Sequence, residues 1–193
     1  MKRIAIFISG RGSNMAAILR EAADGILADC CRVVLVFSND PYAPGLSLAS
    51  AVEVPVLCLP PAGLSKPAFY QRLAARLAPY SLDYLVLAGY MSILPPTFVG
   101  LYAGRIINIH PADTARHHGL HAYRWAFEHR LPQTMITVHY VDAGVDTGPV
   151  IMQAPVDLRG TVSLEEVEWR GLPVEHAVYS RALRAVFCGP ARA

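Results

Sequence analysis

The sequence predicts an α/β fold: a Rossmann-like, doubly wound sheet, parallel through its N-terminal part and mixed or antiparallel at its C-terminal edge. Three observations predict it. Short apolar runs alternate with helical patterns along most of the chain. Those runs lack an alternating polar face, as strands do when a parallel sheet is covered on both sides. After about residue 130 the alternation stops, and two strand-like runs follow with no long helix between them.

Arg3–Ser9 reads as a buried strand and Asn14–Ala23 as a helix, with Ser13 placed as its cap. Arg32–Ser38 is a second strand, rich in β-branched residues. A third lies near Val54–Leu57, followed by an amphipathic helix over Pro67–Leu77. Tyr84–Ala88 and Arg105–Ile109 are the fourth and fifth strands. Thr134–Tyr140 and Pro149–Val156 form the mixed edge, and Pro173–Phe187 is a closing helix. Neither repeats nor linkers interrupt the pattern. With 193 residues against ~150 per domain, one domain over 1–193 is expected.

Composition excludes several classes. Hydrophobic residues make up 53% and charged residues 17%, which argues against disorder. A net charge of +2 is too small for a nucleic-acid partner. The apolar run Ile4–Ile8 is shorter than the ~7–15 residues of a signal-peptide core, and nothing reaches the ~18 of a membrane span. A cytoplasmic protein acting on small molecules is expected, with no membrane partner. The four cysteines show neither a C-x-x-C pair nor a disulfide-like framework, so buried reduced thiols are expected.

Ligands of such sheets bind outside the carboxyl ends of the strands. The loops after Ser9, Ser38, Ala88 and Ile109 should therefore share one crevice. The first loop, Ser9-Gly10-Arg11-Gly12-Ser13-Asn14, has two glycines before a helix N-terminus, which suits close approach to an anion. Met15 stands where a dinucleotide motif needs a third glycine, and Asp40 comes too late for its acid. The loop therefore reads as a single-phosphate site or as a tight turn without a ligand.

Asn108 and His110 end the fifth strand on one side, and Pro111 stops it. A polar pair there is costly unless it is hydrogen-bonded or used. Asp142-Ala143-Gly144-Val145-Asp146-Thr147-Gly148-Pro149 bounds two aspartates in a compact loop, which by itself reads as a turn.

Taken together, ISGRGSN, LAGYM at 87–91, NIHP at 108–111, GLH at 119–121, VDAGVDTGPVI at 141–151 and Glu175-His176 resemble the folate-dependent formyltransferase superfamily, in its glycinamide ribonucleotide branch. The likeness covers nearly the whole chain. It implies the formyltransferase fold and transfer of a formyl group from 10-formyltetrahydrofolate to the amine of glycinamide ribonucleotide in purine biosynthesis, without a metal. By resemblance Asn108, His110 and Asp146 are catalytic. Gly12, Ser13 and Asn14, with Arg11 nearby, hold the substrate phosphate, and Glu175 holds the ribose. Met91, Ser92, Ile93 and Leu94, with Val141, Asp142, Ala143, Gly144 and Val145, frame the pterin, and Lys66 meets the folate tail. A monomer or weak homodimer is expected. The companion enzymes of the superfamily, on methionyl-tRNA and on formyltetrahydrofolate hydrolysis, would carry additional domains.

The chain also departs from the pattern. Ala112-Asp113-Thr114-Ala115-Arg116-His117-His118 replaces a leucine- and proline-rich stretch of equal length. Ser92 stands where a basic residue is common, and Leu172 where a polar one is. Two other readings follow: a formyltransferase acting on another phosphorylated amine, such as an amino-sugar nucleotide, or an inactive folate- or phosphate-binding module. His117, His118 and His121 lack the further ligands of a metal site.

Overall fold

A computed structural model of the protein describes residues 1–189. Its strands are β1 (Lys2–Ile8), β2 (Cys31–Ser38), β3 (Val56–Cys58), β4 (Tyr84–Leu87), β5 (Ile106–His110), β6 (Gln133–Tyr140) and β7 (Val150–Asp157). Its helices are α1 (Ser13–Ala23), α2 (Pro44–Ala51), α3 (Lys66–Leu77), α4 (Pro96–Leu101), α5 (Ala122–Glu128) and α6 (Leu164–Cys188). The strands form one sheet in the order β3-β2-β1-β4-β5-β6-β7. Pairing is parallel from β3 through β5 and antiparallel from β5 through β7.

Alternation along β1 divides the core. Ile4, Ile6 and Ile8 pack with Met15 and Ile18 of α1 and Val178, Tyr179 and Leu183 of α6. Ala5 and Phe7 point the other way, onto Phe69, Leu73 and Leu77 of α3 and Phe98 of α4. Tyr179 is fully buried, yet its hydroxyl is satisfied, donating to the carbonyls of Leu87 at 2.9 Å and Ile107 at 3.1 Å. Among the described residues, no helix is long and apolar enough to cross a membrane.

Several expectations need correction. The third strand begins at Val56 rather than Val54. Ser13 is the first residue of α1 and not its cap; Gly12 takes that place in the left-handed region at φ 77°, with no side-chain cap. The closing helix starts at Leu164, nine residues before Pro173, which lies inside it. Its true cap is Ser163, whose Oγ accepts from the Glu166 N–H at 3.2 Å while Glu166 Oε2 accepts from the Val162 N–H at 3.0 Å. The sequence pattern does not signal the short helices α2, α4 and α5.

The thiols also differ from expectation. Cys30 and Cys188 form a disulfide with Cα atoms 5.5 Å apart, although 158 residues separate them in sequence. No local spacing signals this pair. The end of α6 lies on the turn before β2, where Arg184 Nη1 also reaches Asp29 Oδ1 at 2.7 Å. Cys31 is free and buried, and Cys58 is free but exposed.

Candidate active site

The antiparallel register sets one end of the site. Asn108 of β5 pairs with His139 of β6, so their side chains stand together at the sheet's carboxyl edge. Asn108 Nδ2 lies 3.3 Å from His139 Nε2 and donates to Asp146 Oδ1 at 3.4 Å. His139 Nε2 is 3.4 Å from the same Asp146 oxygen. His110, two residues beyond Asn108 and 5% exposed, places Nδ1 3.6 Å from Asp146 Oδ2. The Gly119 N–H also donates to Oδ2, at 2.8 Å.

Local chemistry shapes the loop that presents Asp146. The Asp142 carboxylate accepts from the Gly144 N–H at 3.0 Å and the Thr147 hydroxyl at 2.6 Å, closing a turn. A Cβ on Gly148 would stand 1.8 Å from the Tyr140 carbonyl oxygen, so only glycine lets the chain return onto β6. Asp146 itself is at φ 54°, a left-handed conformation that a non-glycine residue keeps only where its surroundings hold it. Here four donors and ring nitrogens do so.

Electrostatics follow from this packing. Burial alone would raise the Asp146 carboxyl, but the hydrogen bond with His139, the Gly119 N–H and the charge of His110 hold it at about 2. Burial is the largest influence on His110 and pulls its pKa below the usual value, with Asp146 opposing. At neutral pH the site thus holds an ionised carboxylate beside a neutral imidazole, ready to be charged.

A crevice of about 270 Å³ opens against these groups. Asn108, His110, Asp146 and His139 line it together with Met91, Ser92, Ile93, Leu94, Val141, Asp142, Gly144 and Val145. Ala143 is exposed outside the lining, as is Lys66 at the start of α3. His139 was missed by sequence reasoning, although a histidine near the end of an apolar strand carries the same signal as His110.

The loop 9–14 borders the crevice without lining it, in contrast to the single shared crevice expected from the sequence. Ser9 Oγ accepts from the Met91 N–H at 2.9 Å, joining the two loops, and Asn39 Nδ2 donates to Ser92 Oγ at 3.2 Å. Gly12 is held between Met15 and Gly45, and Arg11 is exposed. Asn14 is buried, and its Nδ2 donates to Glu175 Oε2 at 2.5 Å. Sequence reasoning placed Asn14 and Glu175 on one ligand; the structure joins them directly. His117, His118 and His121 form no convergent group of metal ligands among the described residues, and the group that does converge is Asp29, Cys30 and Cys188, whose sulfurs are bonded to each other.

Comparison with known proteins places this geometry in a family. Residues 2–183 match the family described as formyl transferase. The trifunctional purine biosynthetic protein adenosine-3 of Drosophila melanogaster is 37% identical over 194 residues, covering 98% of this chain and 14% of that protein. The chain therefore spans about a seventh of the length of that relative. Phosphoribosylglycinamide formyltransferase of Bacillus subtilis is 35% identical over 185 residues, covering 95% of this chain and 94% of that one. The crystal structure of phosphoribosylglycinamide formyltransferase from Bacillus halodurans superposes with a TM-score of 0.91 at 38% identity, covering 96% and 95% of the two chains. The chain belongs to the formyl transferase family.

Proposed function

We propose that this chain, as one formyltransferase domain over residues 1–193, transfers a formyl group from 10-formyltetrahydrofolate to the amine of glycinamide ribonucleotide. The observation that carries this reading is the convergence of Asn108, His110 and ionised Asp146 on one crevice. The crevice walls support the co-substrate: Leu87, Met91, Ile93, Leu94 and Val141 offer apolar faces to a flat ring, and Asp142 with the loop backbone offers polar edges. When bound, 10-formyltetrahydrofolate supplies the activated formyl carbon, and no metal takes part.

The amine nitrogen of the substrate bonds to that carbon as the bond to the folate nitrogen breaks. Asn108 turns its amide N–H toward the formyl oxygen, where negative charge grows. His110, neutral beforehand, takes the proton lost by the attacking nitrogen and returns it to the departing one. Asp146, already ionised, stabilises the imidazolium in between. Arg11, with Gly12, Ser13 and Asn14 at the start of α1, holds the phosphate, and Glu175 holds the ribose hydroxyls. Met91 to Leu94 and Val141 to Val145, Ala143 included, frame the pterin. Lys66 meets the part of the folate that projects beyond the crevice. The protein works in the cytoplasm as a monomer or weak homodimer.

The test is a steady-state assay with 10-formyltetrahydrofolate and a set of amines, identifying the product by mass. Formylated glycinamide ribonucleotide at substrate-level turnover is expected. Turnover with an amino-sugar nucleotide alone would move the assignment within the family. Binding of both ligands without turnover of any amine would replace it with an inactive binding module.

A further inference from the structure

Glu175 is 6% exposed, and each of its carboxylate oxygens has its own donor. Asn14 Nδ2 meets Oε2 at 2.5 Å, and the Tyr123 hydroxyl meets Oε1 at 2.5 Å. Tyr123 is the donor to Oε1, and the Asn14 amide presents its nitrogen to Oε2. Three elements, α1, α5 and α6, are thereby fastened at one carboxylate. The packing reserves the place of the tyrosine: a Cβ on Gly171, one turn earlier on α6, would stand 2.0 Å from the Tyr123 oxygen. Burial, and then the charge of Glu175, push the Tyr123 phenol well above its ordinary range, so it keeps its proton.

The segment that delivers Tyr123 is tied at both ends. The Gly119 N–H binds Asp146 Oδ2, and Tyr123 binds Glu175 four residues later. His121 between them takes the left-handed conformation at φ 64°, which turns the chain into α5. One short strap therefore reaches from the catalytic aspartate to the carboxylate at the substrate end.

We infer that Tyr123 is a positioning residue for recognition of the amine substrate: it fixes the plane of the Glu175 carboxylate, leaving the remaining lone pairs aimed for the hydroxyl groups of a phosphorylated sugar. This rests on the proposed role of Glu175 and adds a residue to which no ligand contact is assigned. Without the phenol, Oε1 loses its donor and the carboxylate is free to turn. The consequence falls on substrate affinity, because the ribosyl end is remote from the reacting atoms.

The test compares Tyr123→Phe, Glu175→Gln and the double variant, measuring kcat and both Michaelis constants beside thermal unfolding. Tyr123→Phe should raise the Michaelis constant for glycinamide ribonucleotide about tenfold, the scale of one hydrogen bond to a charged group, and leave kcat and the folate constant within about twofold. In the Glu175→Gln background the same change should add almost nothing, since the effect runs through the carboxylate. Gly171→Ala, which displaces the phenol sterically, should reproduce the selective rise. A lower unfolding temperature with unchanged constants would make the tyrosine structural only and overturn the inference, as would additive effects in the double variant. If the unmodified chain does not formylate glycinamide ribonucleotide, the functional reading falls and this inference with it; if it does, only the variants decide.

Discussion

The two ends of the site are built by different means. At the catalytic end, Asn108, His110 and His139 sit on paired strands, and a ladder fixes their spacing. At the end proposed for the substrate, Asn14, Tyr123 and Glu175 sit on three helices and meet through their side chains. A strand pair resists small shifts because backbone hydrogen bonds set its register, whereas the three helices share a hydrophobic core and the carboxylate sets only how their polar side chains meet. On the proposed function, precision is greatest where the proton would move, and the end assigned to substrate binding is open to tuning by single side chains. Variants at the first end should change the rate of the chemical step, and variants at the second should change affinity.

The largest expected effect is at the catalytic end. His110→Ala and Asp146→Asn should each lower kcat by roughly 10²–10⁴-fold, the usual contribution of general acid–base groups, while circular dichroism stays native. Near-normal kcat in both would remove the catalytic assignment. At the other end, Arg11→Ala should raise the Michaelis constant for the phosphorylated substrate by roughly 10–100-fold, since a hydrogen bond between charged groups is lost, with kcat little changed. A loss of kcat at saturation with unchanged affinity would contradict that role.

Acid sharpens the contrast through stability. The Asp146 carboxyl lies at about 2 in the fold against 3.8 unfolded. Its stabilisation is present above 3.8 and lost as pH falls from there through about 2. The linkage is worth about 2 kcal/mol, so urea unfolding from about pH 5 down to pH 2 should show the difference between the unmodified protein and Asp146→Asn shrinking with pH. A pH-independent difference would mean that the carboxylate is not held ionised by its neighbours.

The smallest effect concerns the divergent loop 112–118. It is anchored at its start, where Thr137 Oγ1 donates to the Ala112 carbonyl at 2.7 Å, and closed by bonds from the N–H groups of Arg116 and His117 to the Asp113 carbonyl. Its His117 carbonyl lies 3.1 Å from His110 Nε2. On the proposed mechanism Nε2 is the nitrogen that meets the substrate, so the loop is expected to give way during turnover. Hydrogen exchange should show changed protection over 112–118 when glycinamide ribonucleotide and a folate analogue bind. Identical exchange with and without both ligands would rule out a moving lid.

The same division explains what the sequence disclosed. The strands were legible because apolar runs are local signals, and Asn108 and His110 stood out as polar residues ending one. His139 carried that signal too, within TMITVHY, but its pairing with Asn108 depends on an antiparallel register set by tertiary structure. Asp146 reads locally as a turn residue, and the catalytic role proposed for it rests on resemblance. Tyr123 lies 52 residues from Glu175, and Cys30 lies 158 from Cys188; nothing local announces either contact. Pro173, a residue that favours first turns, suggests a start for α6 within the helix, while the Ser163–Glu166 cap that begins it lies earlier.

The division of labour between the two ends is tested most directly by single-turnover rates at saturating folate and amine, measured side by side for the unmodified protein, Asp146→Asn and Arg11→Ala. Asp146→Asn is expected to be slowed at least ~10²-fold while Arg11→Ala stays within a few-fold of the unmodified rate. Equal slowing of both variants, or an undiminished rate in Asp146→Asn, would contradict it.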